Sequence, residues 1–352
     1  MHTQQQIHPT DILLASKRSE RGEFFVNLFE YCNLSCSFCW QDHDSKVGMD
    51  SIVRNADNVI RQIVASPLDG FDVNIMGGEL FCDDISDELF EDYVAFVRRI
   101  KLNIALSGKK CTYNWVTNLV YRDVDRVTDM IDRLRSYGID TNLTTSYDAA
   151  GRFNKKTLHI FLRNLEKVGD YIKTIGIVLT KPVIERLLKD DDEVLKYLYE
   201  NYTLFFDYYS PEKNAEKMAP SDELLLKGLI FLVDNYPKAG PIYDWINNFH
   251  NKMTCRSSNV VLPTGETGKC RVLLNKEQHK DFSTPINFVS NNNMELTFIE
   301  KNLCISCEYF DRCGLGCYLH SDFLRRATLP ECVFKMMFDY ITKGIRPDAI
   351  NT

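Results

Sequence analysis

Residues 24–40 read FFVNLFEYCNLSCSFCW. The run Phe24–Tyr31 is apolar and aromatic, which reads as a strand. It passes directly into three cysteines, Cys32, Cys36 and Cys39, spaced C-x3-C-x2-C, with Phe38 just before the last. Three thiolates on one short loop can each hold one iron of a cubane 4Fe–4S cluster. That leaves the fourth iron open to a substrate or cofactor. A structural zinc loop is the other reading; it needs a fourth ligand, which His43 would supply.

Working outward, strand-like runs alternate with amphipathic helical stretches as far as about residue 210. The strands are expected at 24–31, 71–76, 113–118, 140–146, 174–180 and 203–209, and the helices at 51–65, 86–100, 123–137, 155–168 and 183–199. The helical spacing is clear in Val127, Met130, Ile131 and Leu134. Repeated βα units imply right-handed crossovers and a parallel sheet. Six units predict an α/β fold, a partial (β/α)6 TIM-like barrel whose strand C-termini carry the active face. The expected organisation is an N-terminal extension (1–22), the barrel (23–210), a helical connection (211–254), a small cysteine-rich region (255–335) and a C-terminal tail (336–352). A small region with little apolar core of its own needs metal to hold it together.

The 352 residues contain 42 Lys plus Arg against 49 Asp plus Glu, a net charge of −7, which argues against non-specific nucleic-acid binding. No apolar run reaches the roughly 20 residues of a membrane span. The N-terminal stretch has no apolar signal-peptide core, which points to the cytoplasm. Twelve cysteines are odd there, because disulfides are disfavoured in a reducing compartment. Clustered cysteines should then hold metal or do redox chemistry. Seven of them, Cys255, Cys270, Cys304, Cys307, Cys313, Cys317 and Cys332, form a second group. Read by spacing alone that group suggests a zinc ribbon, but seven is too many for one tetrahedral zinc and one too few for two.

The first cluster resembles the signature of the radical S-adenosylmethionine (SAM) superfamily. Gly77-Gly78-Glu79 after the second strand resembles that family's Gly-Gly-Glu motif. Thr117-Asn118 resembles its Thr-Asn-Gly, with Leu119 in place of the glycine, and Ser146-Tyr147-Asp148 resembles a Ser-x-Asp segment. The resemblance implies reductive cleavage of SAM to a 5′-deoxyadenosyl radical on the cluster held by Cys32, Cys36 and Cys39. It also implies SAM contacts from Phe38, Gly77, Gly78, Glu79, Asn118, Ser146 and Arg152. Glu79 would balance the SAM ammonium and Arg152 its carboxylate.

The seven later cysteines match the pattern of the SPASM extension, which holds two auxiliary 4Fe–4S clusters and so brings the implied total to three. By that resemblance Cys304, Cys307, Cys313 and Cys332 hold the outer cluster, and Cys255, Cys270 and Cys317 the inner one. The inner cluster would keep an open iron or take a non-cysteine ligand such as His250 or Asp244. In sulfatase-maturing relatives an aspartate follows the second of these cysteines and accepts the substrate proton. Arg271 stands there in this chain; an always-charged guanidinium is no general base, but it is a candidate to hold a substrate carboxylate. Asp207, Tyr208 and Tyr209, ending the sixth strand, are candidate substrate contacts. Cys82 and Cys111 read as small buried hydrophobes, with a role near the SAM site as the alternative for Cys82.

Most SPASM relatives modify peptides or proteins, so a peptide or protein substrate is expected, with a flavodoxin or ferredoxin as electron donor and no nucleic acid or membrane partner. The stretch before residue 23 is shorter than a leader-binding domain, which favours a second reading. In that reading the enzyme is a dehydrogenase or epimerase acting on a small molecule such as a sugar or antibiotic precursor.

Overall fold

The computed structural model describes residues 21–39, 41–148, 150–209, 215–247, 258–268, 299, 302–310, 312–313 and 332–345. Six parallel strands follow one another in the sheet: β1 (Arg21–Asn27), β2 (Gly70–Met76), β3 (Lys110–Thr117), β4 (Thr141–Ser146), β5 (Ile172–Leu179) and β6 (Leu204–Tyr208). Between them run α1 (Ile52–Ala65), α2 (Asp87–Ile104), α3 (Asp125–Ser136), α4 (Lys155–Val168) and the pair α5 (Lys181–Leu187) and α6 (Glu193–Asn201). This is the expected α/β partial barrel, open rather than closed.

Alternation along each strand separates two faces. Phe24, Val26, Val73, Ile75, Tyr113, Trp115, Leu143, Ile175, Ile177 and Phe206 are all fully buried in the core under the helices. An aromatic group of Phe81, Phe90, Tyr93, Trp115 and Tyr121 packs mainly with tilted or edge-on rings. The other face is lined by half-buried polar residues such as Glu23, Asn74, Thr144 and Ser146. A closed TIM barrel fills that space with branched apolar side chains; here it is a polar lumen. The sheet curls enough for Asp207 on β6 to act electrostatically on Glu23 on β1, although four strands separate them in the sheet.

Helix starts are set by side chains that satisfy orphan N–H groups. Ser86 accepts from Leu89 N, Asn154 forms a reciprocal capping box with Thr157, and Thr180 accepts from Val183 N ahead of Pro182. The single helix expected over 183–199 is two. The apolar spacing runs through Val183, Ile184, Leu187, Leu195 and Leu198, but Asp190 takes a left-handed φ of 52° and Asp192 caps a new start at Leu195 N.

After β6 come α7 (Ala215–Met218), α8 (Asp222–Asn235) and α9 (Ile242–Ile246). Then β7 (Ser258–Val261) pairs in parallel with β1, and β8 (Thr267–Gly268) pairs antiparallel with β7. These strands extend the barrel sheet beyond the six units read from the sequence. The last helix, α10 (Val333–Lys343), docks beside α8, where Tyr340 Oη donates to Asp234 Oδ1 at 2.6 Å. No helix among the described residues is long and apolar enough to cross a membrane.

Candidate active site

The cysteine loop leaves the C-terminal end of β1 and is pinned by backbone contacts. Cys32 N donates to His43 O at 2.9 Å, and Cys39 N closes a turn on Cys36 O at 3.0 Å. Alongside runs the loop after β2, with Gly78 N donating to Phe29 O at 2.9 Å and Glu79 N to Tyr31 O at 2.8 Å. The approach is so close that a Cβ on Gly78 would lie 1.9 Å from Tyr31 O, and one on Gly77 2.9 Å from Phe29 O. Both glycines therefore seat one loop on the other. Gln41 Nε2 adds a bond to Gly77 O at 2.6 Å.

Glu79 lies beneath this junction and is fully buried. Its carboxylate accepts from Thr117 Oγ1 at 2.8 Å, Asn118 N at 2.5 Å and Phe81 N at 3.1 Å. Burial pushes its pKa up to about 7 against the pull of those three donors. Glu79 thus ties the β2 loop to the end of β3. Asn118, so held, reaches the cysteine loop, its Nδ2 lying 2.8 Å from Asn33 Oδ1 and 3.8 Å from Cys32 Sγ. Leu119, which follows Asn118, adopts φ 57°, a conformation that glycine takes at little cost.

The third side of the site comes from β4. The Arg152 guanidinium donates to Ser146 O at 3.0 Å and also bonds Ser146 Oγ. Its positive charge partly offsets the burial that raises the Cys36 thiol. Arg152 Nε is buried without a partner. The Cys32 thiol is pushed up to about 12, first by burial. A buried thiol of that kind becomes a thiolate only beside a strong local cation such as a metal. Phe38 is exposed to an intermediate degree on the same loop.

Among the described residues no three His, Cys, Asp or Glu side chains converge as ligands of a single ion would. A cubane does not require such convergence, because each thiolate takes its own iron. Three cysteines on one loop, a guanidinium with a spare buried N–H for a carboxylate, and a polar lumen below fit a cluster with a bound amino-acid-like ligand.

Of the second group, Cys304, Cys307, Cys313 and Cys332 fall within the described residues. Cys307 N donates to Cys304 O at 2.9 Å in a tight turn, and Cys332 lies close enough to Cys307 to raise its thiol further after burial. Tyr309 Oη donates to Asp339 Oδ1 at 2.8 Å, fixing this turn to α10. Cys255, Cys270, Cys317, Arg271 and His250 lie outside the described residues. Asp207 is exposed on the lumen side of β6, whereas Tyr209 is buried, 2% exposed. Cys82 is fully buried with its thiol raised to about 12, and Cys111 is partly buried. Sequence reading had no signal for Asn33 or Gln41, whose roles depend on loops that meet only in the fold, and it marked Thr117 without its bond to Glu79.

An open α/β barrel with a cysteine loop at the end of β1 and a Gly-Gly-Glu loop at the end of β2 defines a class of fold, that of the radical SAM/SPASM enzymes. Its solved members resemble this chain over nearly its whole length. The structure described as native anSMEcpe with bound AdoMet and Cp18Cys peptide superposes with a TM-score of 0.60 at 15% identity, covering 94% of this chain and 98% of that one. Native anSMEcpe with bound AdoMet gives 0.59 at 16% identity over the same shares. The chain has the fold of this anaerobic sulfatase-maturating enzyme. No protein-family model and no curated protein matches the sequence.

Proposed function

We propose that the chain is a radical SAM/SPASM enzyme that modifies a peptide or protein. The observation that carries this reading is the seating of the C-x3-C-x2-C loop on the Gly77–Glu79 loop, beside Arg152 and Ser146, in a fold whose solved relative holds AdoMet and a peptide. A 4Fe–4S cluster with SAM would supply an electron that splits SAM into methionine and a 5′-deoxyadenosyl radical, which takes hydrogen from the substrate.

The chain's own residues do the rest. Cys32, Cys36 and Cys39 hold the cluster. Arg152 offers its unpartnered Nε–H to the SAM carboxylate, and Ser146 keeps the guanidinium in place. Glu79 acts from within the core by holding Asn118 against the cysteine loop. The lumen orients the substrate and limits water. Cys304, Cys307, Cys313 and Cys332 would hold one auxiliary cluster and Cys255, Cys270 and Cys317 a second, with reduction by a flavodoxin or ferredoxin in the cytoplasm. The modification is an oxidation, a crosslink or a thioether.

Anaerobic reconstitution tests the reading. Roughly twelve irons per chain are expected for three cubanes, and dithionite plus SAM should yield 5′-deoxyadenosine. Full iron loading without that nucleoside would overturn it. Mass spectrometry of candidate peptides then separates peptide maturation from small-molecule chemistry.

A further inference from the structure

The lumen floor carries a carboxyl that the mechanism above does not use. Glu23 points to the lumen side of β1, since its neighbours Phe24 and Val26 are in the helix-covered core. A directional chain of hydrogen bonds ends on it. Lys173 Nζ lies 3.4 Å from Asn114 Oδ1, Asn114 Nδ2 donates to Asn74 Oδ1 at 3.1 Å, and Asn74 Nδ2 donates to Glu23 Oε1 at 3.1 Å. Ser258 Oγ makes a long contact of 3.5 Å with Glu23 Oε2. An ionised carboxylate has about four acceptor sites, so capacity remains.

Glu23 also forms no ion pair among the described residues. The nearby cations are committed elsewhere, with Arg21 on Asp72 at 2.8 Å and Lys173 within 3.8 Å of Asp72. Among the described residues, the charged groups that act most on Glu23 are Asp72 from β2 and Asp207 from β6, both of which raise its pKa. Higher on the same face of β1, Asn27 is 2% exposed, and neither atom of its amide has a partner. Four residues at ~3.3 Å place it about 13 Å from Glu23 along the strand, toward the cysteine loop. A buried amide without a protein partner is costly, so Asn27 gains from any polar group that pairs with it.

We propose that Glu23 and Asn27 form a substrate-recognition rail in which Glu23 binds a basic side chain of a peptide and Asn27 pairs with a peptide group. A carboxylate with acceptor capacity left and no cation paired to it among the described residues selects a cation. An amide that can both donate and accept selects another amide. Their separation exceeds one side chain, which favours a peptide segment over a single small molecule. The inference rests on the peptide reading for the source of the cation.

The test needs neither SAM cleavage nor the true substrate. The anaerobically reconstituted protein is titrated calorimetrically with methylguanidinium and with its uncharged counterpart methylurea. The cation is expected to bind at least tenfold more tightly at pH 8. Burial, then Asp72 and Asp207, push Glu23 up to about 7, against Asn74 and Ser258. Binding should therefore tighten several-fold from pH 6 to pH 8 and release roughly half a proton at pH 7, read by comparing buffers of different ionisation enthalpy. Glu23→Gln should abolish the preference and the proton release, while the surface control Arg99→Ala should keep both. Equal binding of the two probes, no proton release by the wild type, or a preference that survives Glu23→Gln would overturn the proposal. Loss of 5′-deoxyadenosine formation alone would overturn the proposed function and leave this subsite standing.

Discussion

At the scale of single residues, Glu79 and Leu119 show how the site is held. Burial raises Glu79 to about 7, above the ~4.3 of an unfolded glutamate. Between those values the folded chain keeps a proton the unfolded chain has lost. The group's contribution to stability is therefore full below pH ~4.3 and is lost as pH rises through 7. Denaturant titrations should show the wild type losing stability from pH 5 to pH 8 by about 1–3 kcal/mol more than Glu79→Gln; equal losses would refute the assignment. Glu79→Leu, which strands three donors, should cost about 3 kcal/mol or more at either pH. Leu119 combines a fully buried side chain with a left-handed φ of 57°. Truncation to alanine leaves the backbone penalty and a cavity. Glycine removes the penalty, ~1–2 kcal/mol, so Leu119→Gly should be more stable than Leu119→Ala, the reverse of the usual order. Thermal melts of the two variants decide it.

At the scale of elements, the junction of the two loops depends on Gly78. A methyl group there would lie 1.9 Å from a carbonyl oxygen, backbone that no rotamer change can move. Gly78→Ala should part the loops, lowering both stability and iron retention in the first cluster; unchanged iron content and melting temperature would show that the loops are not interdependent. Elements were also where sequence legibility divided. The six strands and their helices were readable because apolar alternation and helical spacing were each bounded by polar turns. The break at Asp190–Asp192 was not, since the leucine spacing continues across it and only a left-handed residue and a cap end the first helix. Nor was β7, since Ser258–Val261 is four residues long and gains its strand character by pairing with β1, more than 230 positions earlier. The cysteine spacing was legible because three thiolates must share one loop. The Glu79 bonds to Thr117 and Asn118 arise from strand order, and Glu23, just ahead of the expected strand 24–31, and Asn27 within it carry no motif.

At the scale of the whole molecule, the described cysteines of the C-terminal group, Cys304, Cys307, Cys313 and Cys332, are tied to the barrel. Cys307 and Cys313 pack against a buried cluster that runs from the barrel into α10, and Tyr309 stacks on Phe338 of α10 with ring centroids 5.2 Å apart. Phe338 and Phe334 reach Trp245 and Tyr208, the latter on the last barrel strand. Arg312 Nη2 donates to Trp245 O at 3.3 Å, adding a polar tie. Among the described residues, the turn that carries Cys304, Cys307 and Cys313 is thus connected to β6 by the aromatic contacts of α10 and by Trp245, which stacks on Tyr208. Replacing Cys307 and Cys332 together by alanine removes two ligands of one implied cubane, so iron should fall from ~12 to ~8 per chain. The contacts of α10 should loosen as well, because metal-binding free energy is folding free energy in a region with little core of its own. The expected result is a lower melting temperature with weakened amide-exchange protection in both α10 and β6. The first cluster and its SAM cleavage should persist, since Cys32, Cys36 and Cys39 are held by β1 and the Gly77–Glu79 loop. If iron falls while β6 keeps full protection, the two regions fold independently and the aromatic bridge carries no coupling. If 5′-deoxyadenosine formation disappears as well, the outer cysteines support the SAM site directly, and the division between the clusters is wrong.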